Sequence, residues 1–357
     1  MKKSLLALAV LGAFAGAAQA QSAVTIYGSF DGGVRHQNRT VADTPGTNGG
    51  VWTMGSNGQY NSNRIGFKGV EDLGGGLNAH FNLETGFNTG TGVQDGALFN
   101  RSAFVGLGGS WGSLDFGHQY STNFKVVGTY DPFSYKYVAI IPLAGLGSIG
   151  GGTSGVGGRV GALTRLDNDV QYSGKFGPVT AYAEHAFGEQ AGSFGNASTN
   201  AVGAVYAEGP ISVGGAYTVR KIDTSALGGA GFQSNTSWTV GGAYATGPVR
   251  VAAGYSDTKQ DLGSVAGLTQ PRAKNWWVGG SYNLNAETAL SAGYYETKTT
   301  DLTSVETKRK LFIVGGTYAL SKRTNFYADI DNGRYSVSTG TAPTTLTGVS
   351  VGINHLF

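Results

Sequence analysis

The chain has 357 residues, of which 61 are glycine and none is cysteine, and only 13% are charged, against about 25% in ordinary soluble domains. So low a charge indicates a surface that does not face water everywhere. The missing cysteines exclude disulfides, and 25 basic against 22 acidic residues give no indication of a nucleic-acid partner.

The first twenty residues have the pattern of a secretory signal peptide. Lys2 and Lys3 precede an apolar stretch over residues 4–18, and Ala18-Gln19-Ala20 fits the A-x-A rule for cleavage. We therefore expect residues 1–20 to be removed and residues 21–357 to form the folded domain. No later apolar run reaches 18 residues, so any membrane insertion has to use β-strands.

From residue 24 onwards, apolar and polar side chains alternate with the period of two that is typical of β-strands. The first segment places Val24, Ile26 and Phe30 on one face and polar side chains on the other. Residues 63–71 and 77–83 repeat the pattern. The glycine-rich turn between these two segments suits a tight hairpin, because glycine adopts positive φ without steric cost.

Residues 119–165 form the longest segment with neither a period of two nor one of 3.6, and we assign it no regular secondary structure. Loops of this length are uncommon in compact domains unless they are functional or disordered. A closed ring of strands offers such a loop a place, since it can fold into the lumen. We therefore predict that residues 119–165 are a constriction loop which, with the facing wall, determines what passes.

Beyond this loop the chain carries an internal repeat. The word Val-Gly-x-x-Tyr occurs at 202–206, 240–244, 278–282 and 314–318, with its tyrosines 38, 38 and 36 residues apart. A fixed period is a strong architectural signal. Each tyrosine is followed by a short turn and a returning strand, so the repeated unit is a hairpin with a longer polar loop.

Counting the segments gives sixteen antiparallel strands, with seven short turns near residues 74, 110, 177, 209, 247, 285 and 321 and eight longer loops. Short turns at one end and long loops at the other are typical of outer-membrane barrels. We therefore predict an all-β fold, a sixteen-stranded antiparallel transmembrane β-barrel with the third loop folded into the lumen. The repeated tyrosines then lie at the membrane interface. The alternative is hairpin packing in a soluble barrel or sandwich.

Several words along the chain resemble the general trimeric porins of Gram-negative outer membranes, most closely the beta-proteobacterial branch. They are VTIYG at 24–28, NRIGFKGVEDLGGGL at 63–77, NRSAFVGL at 100–107, RLDNDVQY at 165–172, LSKRT at 320–324 and GINHLF at 352–357. The resemblance implies a homotrimer with one water-filled pore per barrel, through which small hydrophilic solutes and inorganic ions diffuse. It also implies contact with outer-membrane lipid and lipopolysaccharide, and a barrel-assembly machinery that reads the terminal Phe357.

In that family, wall arginines face the third loop at the constriction. The matching positions here are Arg64, Arg101 and Arg165, and Arg159 resembles a wall arginine of the enterobacterial branch. This loop lacks the Pro-Glu-Phe-Gly-Gly-Asp word by which that branch places acids opposite the arginines. The resemblance therefore implies arginines at the constriction without those loop acids.

The charges available at the constriction are mostly positive. Within residues 119–165 four basic residues stand against Asp131 alone, and the facing wall adds Lys68 beside the arginines. Charged groups in a narrow pore with low-dielectric walls focus the electric field. We therefore predict a lumen that prefers anions. Each arginine could instead pair with a wall acid such as Asp31 or Glu84.

The sequence shows no pattern of a metal or catalytic site. The five histidines, at 36, 80, 118, 185 and 355, lack the spacing of metal ligands, and we predict neither a metal nor another cofactor. We predict a channel rather than an enzyme. Two alternatives stay open, an outer-membrane barrel enzyme and a surface adhesin with a plugged lumen, and a conductance measurement separates both from a channel.

Overall fold

Strands dominate the computed structural model, which describes residues 23–38, 49–54, 58–137, 163–229, 231–263, 265, 267–338 and 344–357. The strands are β1 Ala23–Gln37, β2 Val51–Met54, β3 Arg64–Gly74, β4 Leu77–Gly86, β5 Ser102–Gly109, β6 Gly112–Tyr120, β7 Arg165–Phe176, β8 Val179–Ala186, β9 Thr199–Glu208, β10 Ile211–Asp223, β11 Phe232–Thr246, β12 Val249–Gln260, β13 Arg272–Asn283, β14 Thr288–Thr300, β15 Glu306–Ala319, β16 Thr324–Val337 and β17 Thr344–Leu356. The predicted signal segment, residues 1–20, lies outside the described residues.

Sixteen of these strands pair side by side into a closed antiparallel ring, which confirms the predicted strand number. The ring closes at β1, whose residues 29–37 pair with β17 while residues 23–29 pair with β3. Phe357 extends the seam: its N–H donates to the Gly28 carbonyl at 3.3 Å, and its carbonyl accepts from the Gly28 N–H at 3.2 Å. Closure leaves the wall without a free edge.

The predicted turns and loops are confirmed by the strand boundaries. Each short turn joins two strands at the expected position, as at residues 209–210 between β9 and β10 and residues 247–248 between β11 and β12. The longer connections lie at the opposite end of the ring. Among the described residues, no helix is both long enough and apolar enough to cross a membrane.

Besides the 3₁₀ turn Ser225–Leu227 between β10 and β11, the sequence pattern misses two short elements. β2 lies within the first long loop and pairs with residues 34–37 of β1. Helix α1, Thr122–Val127, begins the third loop, for which the pattern predicts no regular structure. The Ser121 hydroxyl caps this helix by accepting from the Phe124 N–H at 3.3 Å. Elements of four and six residues are too short to produce a recognisable period.

Side chains alternate between an apolar outer face and a more polar inner face. On β13, Trp276 and Val278 are 41% and 47% exposed, whereas Trp277 between them is 1% exposed. The repeated tyrosines also point outward, 41–51% exposed, beside the short turns. Trp238 and Tyr255, then Trp276 and Tyr294, pair their rings towards the other strand ends, with centroids 5.2 and 5.1 Å apart. Two aromatic levels bordering an apolar band are typical of transmembrane barrels.

The apolar core of the described structure lies between the third loop and the inner wall. Side chains from residues 126–137 of the loop pack on inward side chains of β9, β10 and β13–β15; the members are Val126, Val127, Tyr130, Phe133, Tyr137, Val205, Ala216, Trp277, Tyr295, Leu311 and Ile313. The described first part of the loop thus lies against the inner face of the ring. The remainder of the predicted constriction loop, residues 138–162, is outside the described residues.

Candidate functional site: the gap between the third loop and the wall

Arg250 fixes the third loop to one side of the ring. It lies on the inner face of β12, and its guanidinium donates to the carbonyls of Thr129 at 3.0 Å, Asp131 at 3.0 Å and Pro132 at 3.2 Å. Guanidinium donors are planar and fixed in direction, so three such bonds hold the backbone in one orientation. The loop is therefore anchored by its main chain as well as by apolar packing.

Asp131 gives the loop its turn and does not line a pore. Its side chain is fully buried and accepts from the backbone N–H groups of Phe133 at 3.1 Å and Tyr135 at 2.9 Å, and from the Tyr295 hydroxyl at 2.8 Å. Burial raises the pKa of the Asp131 carboxyl, and these hydrogen bonds oppose that rise. The prediction that Asp131 belongs to the constriction is therefore corrected, because two N–H groups of its own loop and the Tyr295 hydroxyl of β14 hold its carboxyl in a buried position.

Opposite the anchored loop, the three predicted arginines come together. Arg64 at the start of β3, Arg101 just before β5 and Arg165 at the start of β7 all line one cavity of about 590 Å³. Residues 134–136 of the loop line its other side, with Lys136 among them. The three arginines are far apart in sequence, and the ring brings them to one level because each stands at the long-loop end of its strand.

Glu84 on β4 is the one carboxylate among the described residues that line this cavity. It is 6% exposed and accepts from Arg101 Nε at 2.6 Å, and Arg64 Nε lies 3.6 Å away. The Tyr27 hydroxyl donates to it at 2.9 Å. Pairing of the arginines with a wall acid, the alternative stated above, therefore does occur with Glu84. It does not hold for Asp31, which accepts from the backbone of residues 59–61 and from a tyrosine hydroxyl.

Tyr120, at the end of β6, organises two of the arginines. Its hydroxyl accepts from Arg101 Nη2 at 2.7 Å and from Arg165 Nη2 at 3.1 Å. The Arg165 guanidinium lies 4.6 Å from the ring centroid, and the Phe124 ring stacks on Tyr120 with centroids 4.5 Å apart. Cation–π contact and hydrogen bonding together fix the guanidinium planes. Sequence reasoning misses Tyr120, although its place at the very start of the predicted loop, residues 119–165, is a usable signal.

The remaining predicted positions lie elsewhere or outside the described residues. Lys68 is exposed on β3, with its ammonium 5.3 Å from the Tyr27 ring centroid, and it does not line the cavity. Arg159 falls outside the described residues. Lys136 lies 5.4 Å from the Tyr60 ring centroid. Burial, together with the smaller effect of the nearby Arg64 charge, lowers the pKa of the Lys136 ammonium to about 8.

A closed sixteen-stranded barrel with aromatic borders, an apolar outer face and a charged internal gap defines an outer-membrane β-barrel protein. The chain matches the Gram-negative porin family over residues 7–338 and belongs to that family. It is therefore an integral protein of the outer membrane.

Individual relatives agree with this family. An outer membrane porin protein of Bordetella pertussis is 42% identical over 182 residues, covering 48% of this chain and 44% of the relative. Outer membrane porin protein 32 of Delftia acidovorans is 40% identical over 134 residues, covering 38% of this chain and 36% of the relative. The chain thus matches less than half the length of these curated relatives.

Solved structures show the same fold over nearly the whole chain. The anion-selective porin from Comamonas acidovorans superposes with a TM-score of 0.76 at 22% identity, covering 94% of this chain and 100% of that one. OmpT of Vibrio cholerae superposes with a TM-score of 0.66 at 18% identity, covering 94% and 98%. At these identities the likeness shows the fold alone.

Replacing Tyr120 by Phe tests its role in holding the arginines. The variant keeps the ring but loses the hydroxyl shared by Arg101 and Arg165, so the free energy of unfolding should fall by about 1.5–3 kcal/mol, the usual value for hydrogen bonds to charged groups. The measurement is a urea titration of the folded fraction, followed by gel mobility of unheated samples.

Tyr172→Phe is the matched control for this variant. Its hydroxyl donates to the neutral Trp111 carbonyl at 2.6 Å, so its loss should cost only about 0.5–1.5 kcal/mol. Equal losses in the two variants would show that the arginines do not depend on Tyr120.

Proposed function

We propose that this protein is an outer-membrane porin through which small hydrophilic solutes and inorganic ions diffuse passively, with a preference for anions. The observation that carries the proposal is the charge of the gap, where Arg64, Arg101, Arg165 and Lys136 line one cavity with Glu84 as the single described carboxylate. A narrow aqueous passage with such an excess of positive charge attracts anions. The likeness to a porin described as anion-selective supports the proposal.

Glu84 reduces this positive charge without cancelling it. It pairs with Arg101 and lies near Arg64, so one carboxylate is shared by two guanidinium groups. Within the described residues, Arg165 has no carboxylate at ion-pair distance, and its buried Nε has no hydrogen-bond partner in the protein. No described carboxylate therefore neutralises the positive charge that Arg165 brings to the gap.

We propose a non-enzymatic channel without cofactor that forms a homotrimer, is surrounded by outer-membrane lipid and lipopolysaccharide, and is inserted by the barrel-assembly machinery. The apolar outer face with its two aromatic levels fits a lipid environment. A Vibrio cholerae neighbour with a TM-score of 0.63 has been solved in a trimer form, which supports the trimer.

The reversal potential of the reconstituted channel in a salt gradient tests the selectivity. The native channel should prefer anions, and the triple change Arg64→Gln, Arg101→Gln and Arg165→Gln should lower the anion-to-cation permeability ratio by roughly tenfold, since a unit charge beside an ion is worth on the order of 1 kcal/mol or more. Lys68→Gln is the control, because Lys68 lies outside the cavity. Cation preference in the native channel, or no shift in the triple variant, would reject the assignment. A protein that carries no current would instead support the enzyme or adhesin alternatives.

Lys136 should make the selectivity depend on pH. Its ammonium has a pKa lowered to about 8, so it is charged below that pH and neutral above it. The anion preference should therefore decrease as the pH rises from about 7 to about 9. Lys136→Gln should have the lower preference throughout, whereas Lys136→Arg should keep the higher one, because arginine stays charged. A native profile that is flat over this range would contradict the role of Lys136.

Phe357 should be needed for efficient assembly. Its ring stacks on Phe30 with centroids 5.3 Å apart, and its backbone pairs with Gly28 across the seam. Deleting Phe357 should lower the amount of assembled barrel in the membrane while synthesis continues, as measured by the heat-sensitive gel band against total protein. Phe326→Ala removes another outward aromatic ring and leaves the terminus intact. If Phe326→Ala lowers assembly as much, Phe357 is one interface aromatic among others and not an assembly signal.

A further inference from the structure

The repeated word Val-Gly-x-x-Tyr marks every second strand from β9 to β15, at the same distance from the short turns. Its four copies lie on β9, β11, β13 and β15. The valine and tyrosine side chains point outward, where contact with lipid accounts for their apolar character. The first glycine faces inward, so contact with lipid does not account for it. A glycine within a strand weakens the strand and often marks a position where another group approaches the backbone closely. The four inward glycines are Gly203, Gly241, Gly279 and Gly315.

The third loop covers all four inward glycines. A Cβ atom built on each would lie less than 3.0 Å from a loop side chain, closer than real Cβ atoms approach their neighbours. The contacts pair Gly203 with Thr122, Gly241 with Tyr130, Gly279 with Pro132 and Gly315 with Tyr137. On the intervening strand β14, Gly293 meets the Phe133 ring in the same way, at 2.6 Å. The loop is the nearest neighbour at Gly203, Gly241 and Gly315, whereas at Gly279 the Ala292 carbonyl of β14 is nearer still, at 2.4 Å.

The loop meets these glycines in chain order. Its residues 122, 130, 132 and 137 contact β9, β11, β13 and β15 in turn. Adjacent strands are about 4.8 Å apart, so the contacts extend over roughly 30 Å of the wall. The spacing of the repeat in the sequence thus becomes a regular row of contact points along the inside of the ring.

The next position of the word provides an internal comparison. It points outward and is Ala204 in the first copy and Gly242, Gly280 and Gly316 in the others. A Cβ atom on Gly316 would meet the flexible end of Leu290 at 3.1 Å and no loop atom. The inward position is glycine in all four copies, whereas the outward one accepts alanine. The outward Gly280 is crowded only by the wall itself, through the Arg250 carbonyl at 2.3 Å, so contact with the loop is confined to the inward position.

We propose that contact with Gly203, Gly241, Gly279 and Gly315 fixes the path of the constriction loop and so determines the width of the pore. These four glycines, against which the loop packs, are called the seats. This inference rests on the proposed function, in which the gap between loop and wall is the pore. The loop is seated on β9–β15, while the charged wall that it faces belongs to β1–β7. A side chain added at a seat pushes the loop away from its own wall and towards the arginines, which narrows the gap.

Single-channel conductance of alanine variants at the two ends of the row tests this inference. Gly203→Ala and Gly315→Ala should each lower the conductance, by up to about twofold, because conduction depends steeply on the narrowest radius. Gly316→Ala, one residue from a seat but outward, is the matched control and should leave it unchanged. Adding Tyr137→Leu to Gly315→Ala should return the conductance towards the native value, since the ring that covers this seat is then removed.

A cross-link locates the loop independently of any current. The chain contains no cysteine. A Cβ atom at position 203 would lie 2.7 Å from Thr122 Cγ2, which places a sulfur at that site within disulfide reach. The pair Thr122→Cys with Gly203→Cys should therefore form a disulfide in assembled barrels treated with copper phenanthroline in air. The control pair Thr122→Cys with Ala204→Cys should form none, because position 204 faces outward.

The outcomes separate this inference from the proposed function. Cross-linking at 203 and not at 204, with lowered conductance in the seat variants alone, supports the seats. Equal conductance in Gly315→Ala and Gly316→Ala, or a missing cross-link at 203 in assembled barrels, overturns them. If the Thr122→Cys, Gly203→Cys variant cross-links but the native protein carries no current, the pore is rejected while the position of the loop stands as described.

Discussion

The structure depends on one constraint, the cost of an unpaired backbone N–H or carbonyl group in lipid. No water is present in the hydrocarbon to accept these bonds, so sixteen strands have to close on themselves. The seam between β1 and β17 meets that requirement, and Phe357 extends it to the last residue. The alternation of side chains follows from closure, because each strand then has one face towards lipid and one towards the lumen.

Closure also decides where apolar packing can occur. The outer apolar side chains are solvated by lipid and need no partner within the chain. The apolar core is therefore found inside the ring, where the third loop lies on β9–β15. Arg250 and Asp131 complete this attachment by satisfying the backbone of the loop. The two halves of the lumen therefore have different roles. Strands β9–β15 hold the loop, and strands β1–β7 carry the charged side chains that face it.

The charged half places like charges close together, and two groups make that arrangement stable. Glu84 shares its carboxylate between Arg101 and Arg64, and the Tyr120 hydroxyl accepts from Arg101 and Arg165. Guanidinium groups tolerate this crowding because they are planar, delocalised and weakly hydrated. The result is an array whose geometry is fixed and whose charge remains positive.

The amino-acid sequence alone determined the number of strands, their turns and the outward columns, because a period of two and short turns are local properties. The arginines of the gap were implied by the resemblance to the trimeric porins and not by these local patterns. The tertiary structure alone decided the course of the loop. The carboxyl of Asp131 meets a hydroxyl 164 residues away, and Glu84 reaches Arg101 across a strand pair. Such contacts leave no local pattern: the repeated inward glycine is visible in the sequence, but only the folded ring shows that the loop rests on it.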